Sequence, residues 1–207
     1  MHYYEDPITM LITAVIILVC LSLHELAHGW TAYKLGDMTA KQQGRLTLNP
    51  LKHLDPIGAL MLFFFGFGYA KPVPVDFYQL KRPRLGMMLV AAAGPAANLL
   101  TAAVCMLILG FSTNSTLSEI LITTAFMSVG LAVFNLIPIP PLDGSRILFA
   151  LLPGNIRYHA FRLDWIGSVG LVILIATNTL TPYLIKAQEI VITLLSGFVL
   201  PGTIFVN

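Results

Sequence analysis

Apolar residues run through this chain in long blocks, and about 20 mostly apolar residues make a helix that crosses a bilayer. The first block runs from about Ile8 to Tyr33. Further blocks run from about Leu85 to Phe111, Leu117 to Ile137, Trp165 to Leu180 and Tyr183 to Phe205. The fourth is short and ends in Thr and Asn. Between the first two blocks, Ile57–Tyr69 is apolar over 13 residues. That length is too short to span and suits a re-entrant segment. Two stretches read as strands, about Gln42–Leu48 and about Ala70–Phe77. Pro72 and Pro74 confine the second to a sheet edge, because proline cannot donate to a ladder. The pattern predicts an all-α polytopic membrane protein: about five transmembrane helices, a short re-entrant segment and a small membrane-associated β-sheet.

Composition and charge sharpen that picture. The chain has 207 residues, 57% hydrophobic and 11% charged, whereas a soluble domain is about a quarter charged. The length suits one domain over residues 1–207, with a catalytic core of about 8–152 and C-terminal helices of about 165–205. Glu5 and Asp6 ahead of a long apolar run argue against a cleaved signal. Cys20 and Cys105 lie inside apolar runs and are too few for a disulfide framework. The basic residues are scattered among Pro, Gly and polar residues near short loops, which excludes a nucleic-acid-binding patch.

Eleven of the twelve Lys and Arg fall in two loop regions. Lys34, Lys41, Arg45, Lys52, Lys71, Lys81, Arg82 and Arg84 follow the first span, and Arg146, Arg157 and Arg162 follow the third. Lys186 is assigned to the junction of the last two. Cationic loops stay on the cytoplasmic side, so the first span is predicted to end there. With five spans alternating, the C-terminus falls near that side too.

The chemistry begins at His24-Glu25-Leu26-Ala27-His28, near the basic end of the first span. Histidines at i and i+4 sit about 6 Å apart along a helix axis on nearly the same face, so both imidazoles can grip one zinc ion. Glu25 reaches the same pocket, where it can take a proton from activated water. This is the HExxH pattern. Three ionisable side chains inside one apolar helix are costly in lipid and mark a functional site. Merely satisfied buried polar groups are the alternative.

A catalytic zinc usually takes three protein ligands and one water. The candidates for the third are Asp143, His53, Asp55, Glu119, Asp164 and His159. Glu119 falls beside the loop at the opposite end, and Asp164 and His159 fall in a polar, Arg-containing loop. Asp143 ranks first: it lies at the basic end of the third span, after Pro138, Pro140 and Pro141 break the helix. Irregular backbone at that depth is tolerated where it lines a cavity, and Gly144 permits a sharp turn. A plain helix cap is the alternative for Asp143. Asn98 and Asn135 carry amides that could donate to the oxyanion formed when water attacks a carbonyl, or could satisfy broken backbone nearby.

The chain resembles the site-2 protease family of intramembrane zinc metalloproteases. The resemblance rests on HELAHG at 24–29, NPLKHLDPIG at 49–58, GYAKPVPVD at 68–76, AGPAANL at 93–99 and FNLIPIPPLDGSRIL at 134–148. HExxH alone is shared with many soluble zinc proteases; its combination with the last stretch is specific. The resemblance implies ligands His24, His28 and Asp143, Glu25 as base and one Zn2+ per chain. The loops are too short for a PDZ or CBS module, so the chain looks like a minimal, core-only member.

The expected partners are the lipid bilayer and a transmembrane protein or peptide substrate, with no nucleic acid. The expected location is a bacterial plasma membrane, with the active site near the cytoplasmic face. A metal transporter or channel is the competing class, and it predicts polar residues along the full membrane depth. Here the stretch Ile12–Leu21 is nearly all apolar. A catalytically silent scaffold is the third class.

Overall fold

A computed structural model describes residues 7–55, 58, 71–153 and 163–199. Three long helices form the frame: α1 (Pro7–Lys34), α3 (Pro83–Leu109) and α4 (Ser115–Asn135). Between α1 and α3 lie the one-turn α2 (Thr39–Gln42) and a 3-10 turn at Pro50–Lys52. After α4 come α5 (Asp143–Leu151), α6 (Asp164–Ala176) and α7 (Thr181–Val199). Among the described residues, α1, α3, α4 and α7 are long and apolar enough to cross a membrane. The first three of these begin and end within about two residues of the apolar blocks, because lipid-facing helices owe their limits to polar flanks. Asn114 also caps α4, accepting from Leu117 N–H at 2.9 Å.

The fourth apolar block differs from the prediction. It forms α6, only 13 residues long, well short of a bilayer span. Asn178 at φ 56° turns the chain just after Ala176, the left-handed residue that commonly ends a helix. Lys186 lies inside α7 rather than between two spans. Gln188 Nε2 donates to the Phe126 carbonyl at 2.7 Å. Beyond it, Val191, Ile192, Leu195 and Val199 pack against a buried cluster that includes Met106, Leu121, Ala125 and Val129. Helix α7 therefore runs antiparallel to α4. Its C-terminal end thus points away from the Asn135 end of α4, opposite to the five-span expectation.

The small sheet is also corrected. Among the described residues there is no strand, only an isolated bridge at Leu54. Gln42 closes α2; Gly44 at φ 62° and the bond from Arg45 N–H to Ala40 O end it as a left-handed C-cap. Residues 71–76 are extended, but side chains hold them. Arg45 Nη2 donates to the Lys71 and Pro72 carbonyls, Asp37 Oδ2 accepts from Asp76 N–H and Glu25 Oε2 accepts from Val73 N–H. Pro72 and Pro74 offer no N–H to a ladder. We call this segment the strap. Ala70 and the proposed re-entrant segment, apart from Gly58, lie outside the described residues.

Helix α5 is fixed at both ends. At its start a Cβ on Gly144 would come within 2.2 Å of the Leu136 carbonyl, so only glycine lets it tuck beneath the end of α4. At its finish Arg84 Nε and Nη2 donate to the Ala150 and Leu151 carbonyls at 2.6 and 2.9 Å. These are the orphan acceptors of a helix C-terminus, where a cation is also favoured by the helix dipole. Replacing Arg84 with Ala is expected to lower stability by about 1 kcal/mol, given its exposure. Equilibrium unfolding in micelles measures this, and Arg84→Lys should recover part of the loss.

Candidate metal centre

The apolar core places three ligand-bearing side chains at one point. His24 and His28 project from α1 one helical turn apart, and both are buried. Their Nε2 atoms are 3.0 Å apart. Asp143, the first residue of α5, brings Oδ2 to 3.1 Å from His24 Nε2 and 3.2 Å from His28 Nε2. Among the described residues this is the one group of three or more His, Cys, Asp or Glu side chains close enough to share an ion.

Two glycines and a proline-rich break make the approach possible. A Cβ on Gly94 of α3 would lie 2.4 Å from His28 Nε2 and 2.6 Å from His24 Nε2, so α3 passes the site only as glycine. A Cβ on Gly29 would strike Leu46 Cδ2 at 2.7 Å and Val73 Cγ1 at 2.9 Å; glycine there lets the strap lie against α1. The break 136–142 ends α4 and redirects the chain so that Asp143 points back at α1.

The surroundings fit a cation. His28 Nδ1 lies 2.6 Å from the Val90 carbonyl. A carbonyl only accepts, so Nδ1 carries the proton and neutral His28 offers its Nε2 lone pair to the centre. A carboxylate oxygen and imidazole lone pairs gathered this closely repel one another unless a cation sits among them. Tetrahedral zinc with bonds of about 2.0–2.2 Å needs its ligand atoms about 3.3–3.6 Å apart. The edges of 3.0–3.2 Å are a few tenths of an ångström shorter, so a small outward shift of the three side chains would seat that ion.

Asn98 is fully buried, and its Nδ2 lies 3.1 Å from His24 Nδ1. Its Oδ1 is buried without a hydrogen-bond partner. The two ends of an amide exchange by a half-turn. The metal-holding tautomer of His24 needs Nδ1–H facing an acceptor, which that half-turn supplies. Asn135 is only partly buried and donates through Nδ2 to the Leu131 carbonyl at 2.9 Å. Glu25 Oε2 accepts from Val73 N–H at 2.7 Å, an alignment by the strap that the sequence did not reveal.

The remaining ligand candidates stand apart from this group. His53 is buried and pairs through Nε2 with the Thr47 carbonyl at 2.9 Å. Asp55 accepts from Gly58 N–H, Asp164 pairs with Arg146, and Glu119 is exposed near the start of α4. His159 lies outside the described residues.

The model of peptidase family M50 matches residues 12–117 and 110–177. The chain belongs to peptidase family M50. It is 38% identical over 216 aligned positions to the "Putative zinc metalloprotease YwhC" of Bacillus subtilis, covering 96% of this chain and 97% of that protein. It is 33% identical to the "Putative zinc metalloprotease Rip2" of Mycolicibacterium smegmatis, over 79% of this chain and 66% of that one. Its identity to the protein of the same name from Mycobacterium tuberculosis is 35%, over 63% of this chain and 53% of that one. No solved structure matches the chain. This M50 chain is an integral membrane zinc metalloprotease.

Gly94→Ala tests how tightly the helices are spaced at the centre. The methyl group would displace both imidazoles, so the purified variant is expected to carry far less than one zinc per chain. Gly170→Ala, where a Cβ meets nothing within 4 Å, should keep the metal. Elemental analysis of both measures this.

Proposed function

We propose that this M50 protease cleaves peptide bonds of transmembrane substrates within the bilayer, with Glu25 as general base. The observation that carries the proposal is the convergence of His24, His28 and Asp143 inside an apolar helix frame, with Glu25 beside them. His24, His28 and Asp143 are the zinc ligands. When bound, zinc polarises the scissile carbonyl and makes its water acidic enough to lose a proton to a carboxylate.

The chain's own groups do the rest. Glu25 Oε2, aligned by Val73 N–H, accepts the water proton and returns one to the leaving amine. Asn98 orients His24 through its amide. Asn135 has a second amide hydrogen beyond the one given to Leu131, and it stabilises the oxyanion. The strap pairs with no strand among the described residues, so a locally unwound substrate lies alongside it by main-chain hydrogen bonding. Basic residues crowd the loops at this end of the helices, which supports a centre near the cytoplasmic face. Polar groups gathered at one end of α1 favour a protease over an ion path.

Glu25→Gln should keep zinc and lose about 10²–10⁴-fold in kcat against a reconstituted transmembrane peptide. Full cleavage by purified Glu25→Gln removes Glu25 as base. Asp143→Ala should lose both metal and activity.

Asn98→Leu separates orientation from oxyanion binding. Loss of the His24 partner is expected to weaken zinc affinity about 10–100-fold, measured by chelator competition. Asn98→Asp, whose carboxylate accepts from Nδ1–H, should bind zinc at least as tightly as the parent. Unchanged zinc affinity in Asn98→Leu with reduced kcat would assign Asn98 to the oxyanion instead.

A further inference from the structure

Helix α7 carries charges where a lipid-facing helix should have none. Its inner face is accounted for: Gln188 bonds to Phe126, Ser196 is buried, and Val191, Ile192, Leu195 and Val199 pack on the α3–α4 cluster. The opposite face presents Lys186, Glu189, Ile190, Thr193 and Leu194 around a shallow hollow, and Lys186 and Glu189 are both exposed. Gln188 is level with Phe126, near the middle of α4. The Glu189 carboxylate, on the next residue, therefore lies near mid-bilayer depth, with Lys186 one turn towards the metal-centre end. The ion pair resolved outside the metal centre among the described residues is Arg146–Asp164, so neither charge is matched by an ion pair among the described residues. Unpaired charges at that depth are costly and mark a contact.

We infer that this face packs against α7 of a second copy of the chain. The pattern complements itself: one positive and one negative side chain, three residues apart on one face. In a two-fold pair about the membrane normal the two α7 helices run parallel, and each Lys186 faces the partner's Glu189. Both charges are then matched and removed from lipid. A partner helix bearing one sign would leave the other charge bare. Further along this face, Gly197 has nothing within 4 Å of a Cβ position. With Thr193 four residues earlier it leaves the backbones free to approach.

Charge exchange tests the pairing. The full chain, labelled and reconstituted at low density in vesicles of phosphatidylethanolamine and phosphatidylglycerol, is counted by single-molecule photobleaching. The wild type should bleach in two steps. Lys186→Glu and Glu189→Lys alone should each weaken association by about tenfold or more, and the double exchange should restore it. Helix content and bound zinc, measured on every variant, confirm folding independently of pairing. Thr193→Cys in the wild-type background should form a cross-linked dimer under mild oxidation. A wild type that stays monomeric, or single variants that pair like the wild type, overturns the proposal. Failure of the exchange to restore pairing overturns it too, as does Thr193→Cys cross-linking to a substrate peptide but not to itself.

Discussion

The structure depends on three lone-pair atoms, two imidazole nitrogens and one carboxylate oxygen, held 3.0–3.2 Å apart inside an apolar frame. Without a cation such a cluster opposes folding, because buried polar groups cost free energy unless matched. With one, the same cluster ties α1 to α5, elements more than a hundred residues apart in sequence. An ion held at this group would link metal binding to tertiary structure and stabilise the folded chain that binds it.

Everything near the centre serves closeness. Gly94 lets α3 pass over the imidazoles, Gly144 lets α5 start beneath α4, and Gly29 lets the strap rest on α1. Hydrogen bonds then fix what packing alone leaves free. Val90 sets the tautomer of His28, Asn98 abuts His24, and Val73 aligns Glu25. The strap itself is held by buried Asp37 and Arg45, so loop residues outside the three-residue cluster still position Glu25. An apolar frame strengthens each of these contacts, since little water competes for them.

Much of this was legible in the sequence, for identifiable reasons. Three spans could be read from length and apolarity alone, because the bilayer allows few alternatives. Two histidines at i and i+4 face one way on any helix, and the proline break at 138–141 placed Asp143 at the matching depth. The errors came where local chemistry outweighed pattern. The stretch Gln42–Leu48 read as a strand, but Gly44 caps α2 instead. The strap is extended, yet side chains rather than a neighbouring strand satisfy it, and only tertiary contacts could show that. Asn178 ended α6 early, which reversed the direction of α7 and moved Lys186 into a helix. The orientation of Asn98 towards His24 spans 74 positions and leaves no mark on the sequence.

X-ray absorption at the zinc edge of the purified, detergent-solubilised chain tests the metal centre most directly. The account predicts one zinc with four light-atom neighbours at about 2.0–2.1 Å, two of them imidazoles. Replacing Asp143 with Ala should change that first shell. A shell containing sulfur, a shell with no imidazole signature, or a spectrum indifferent to Asp143 would contradict it.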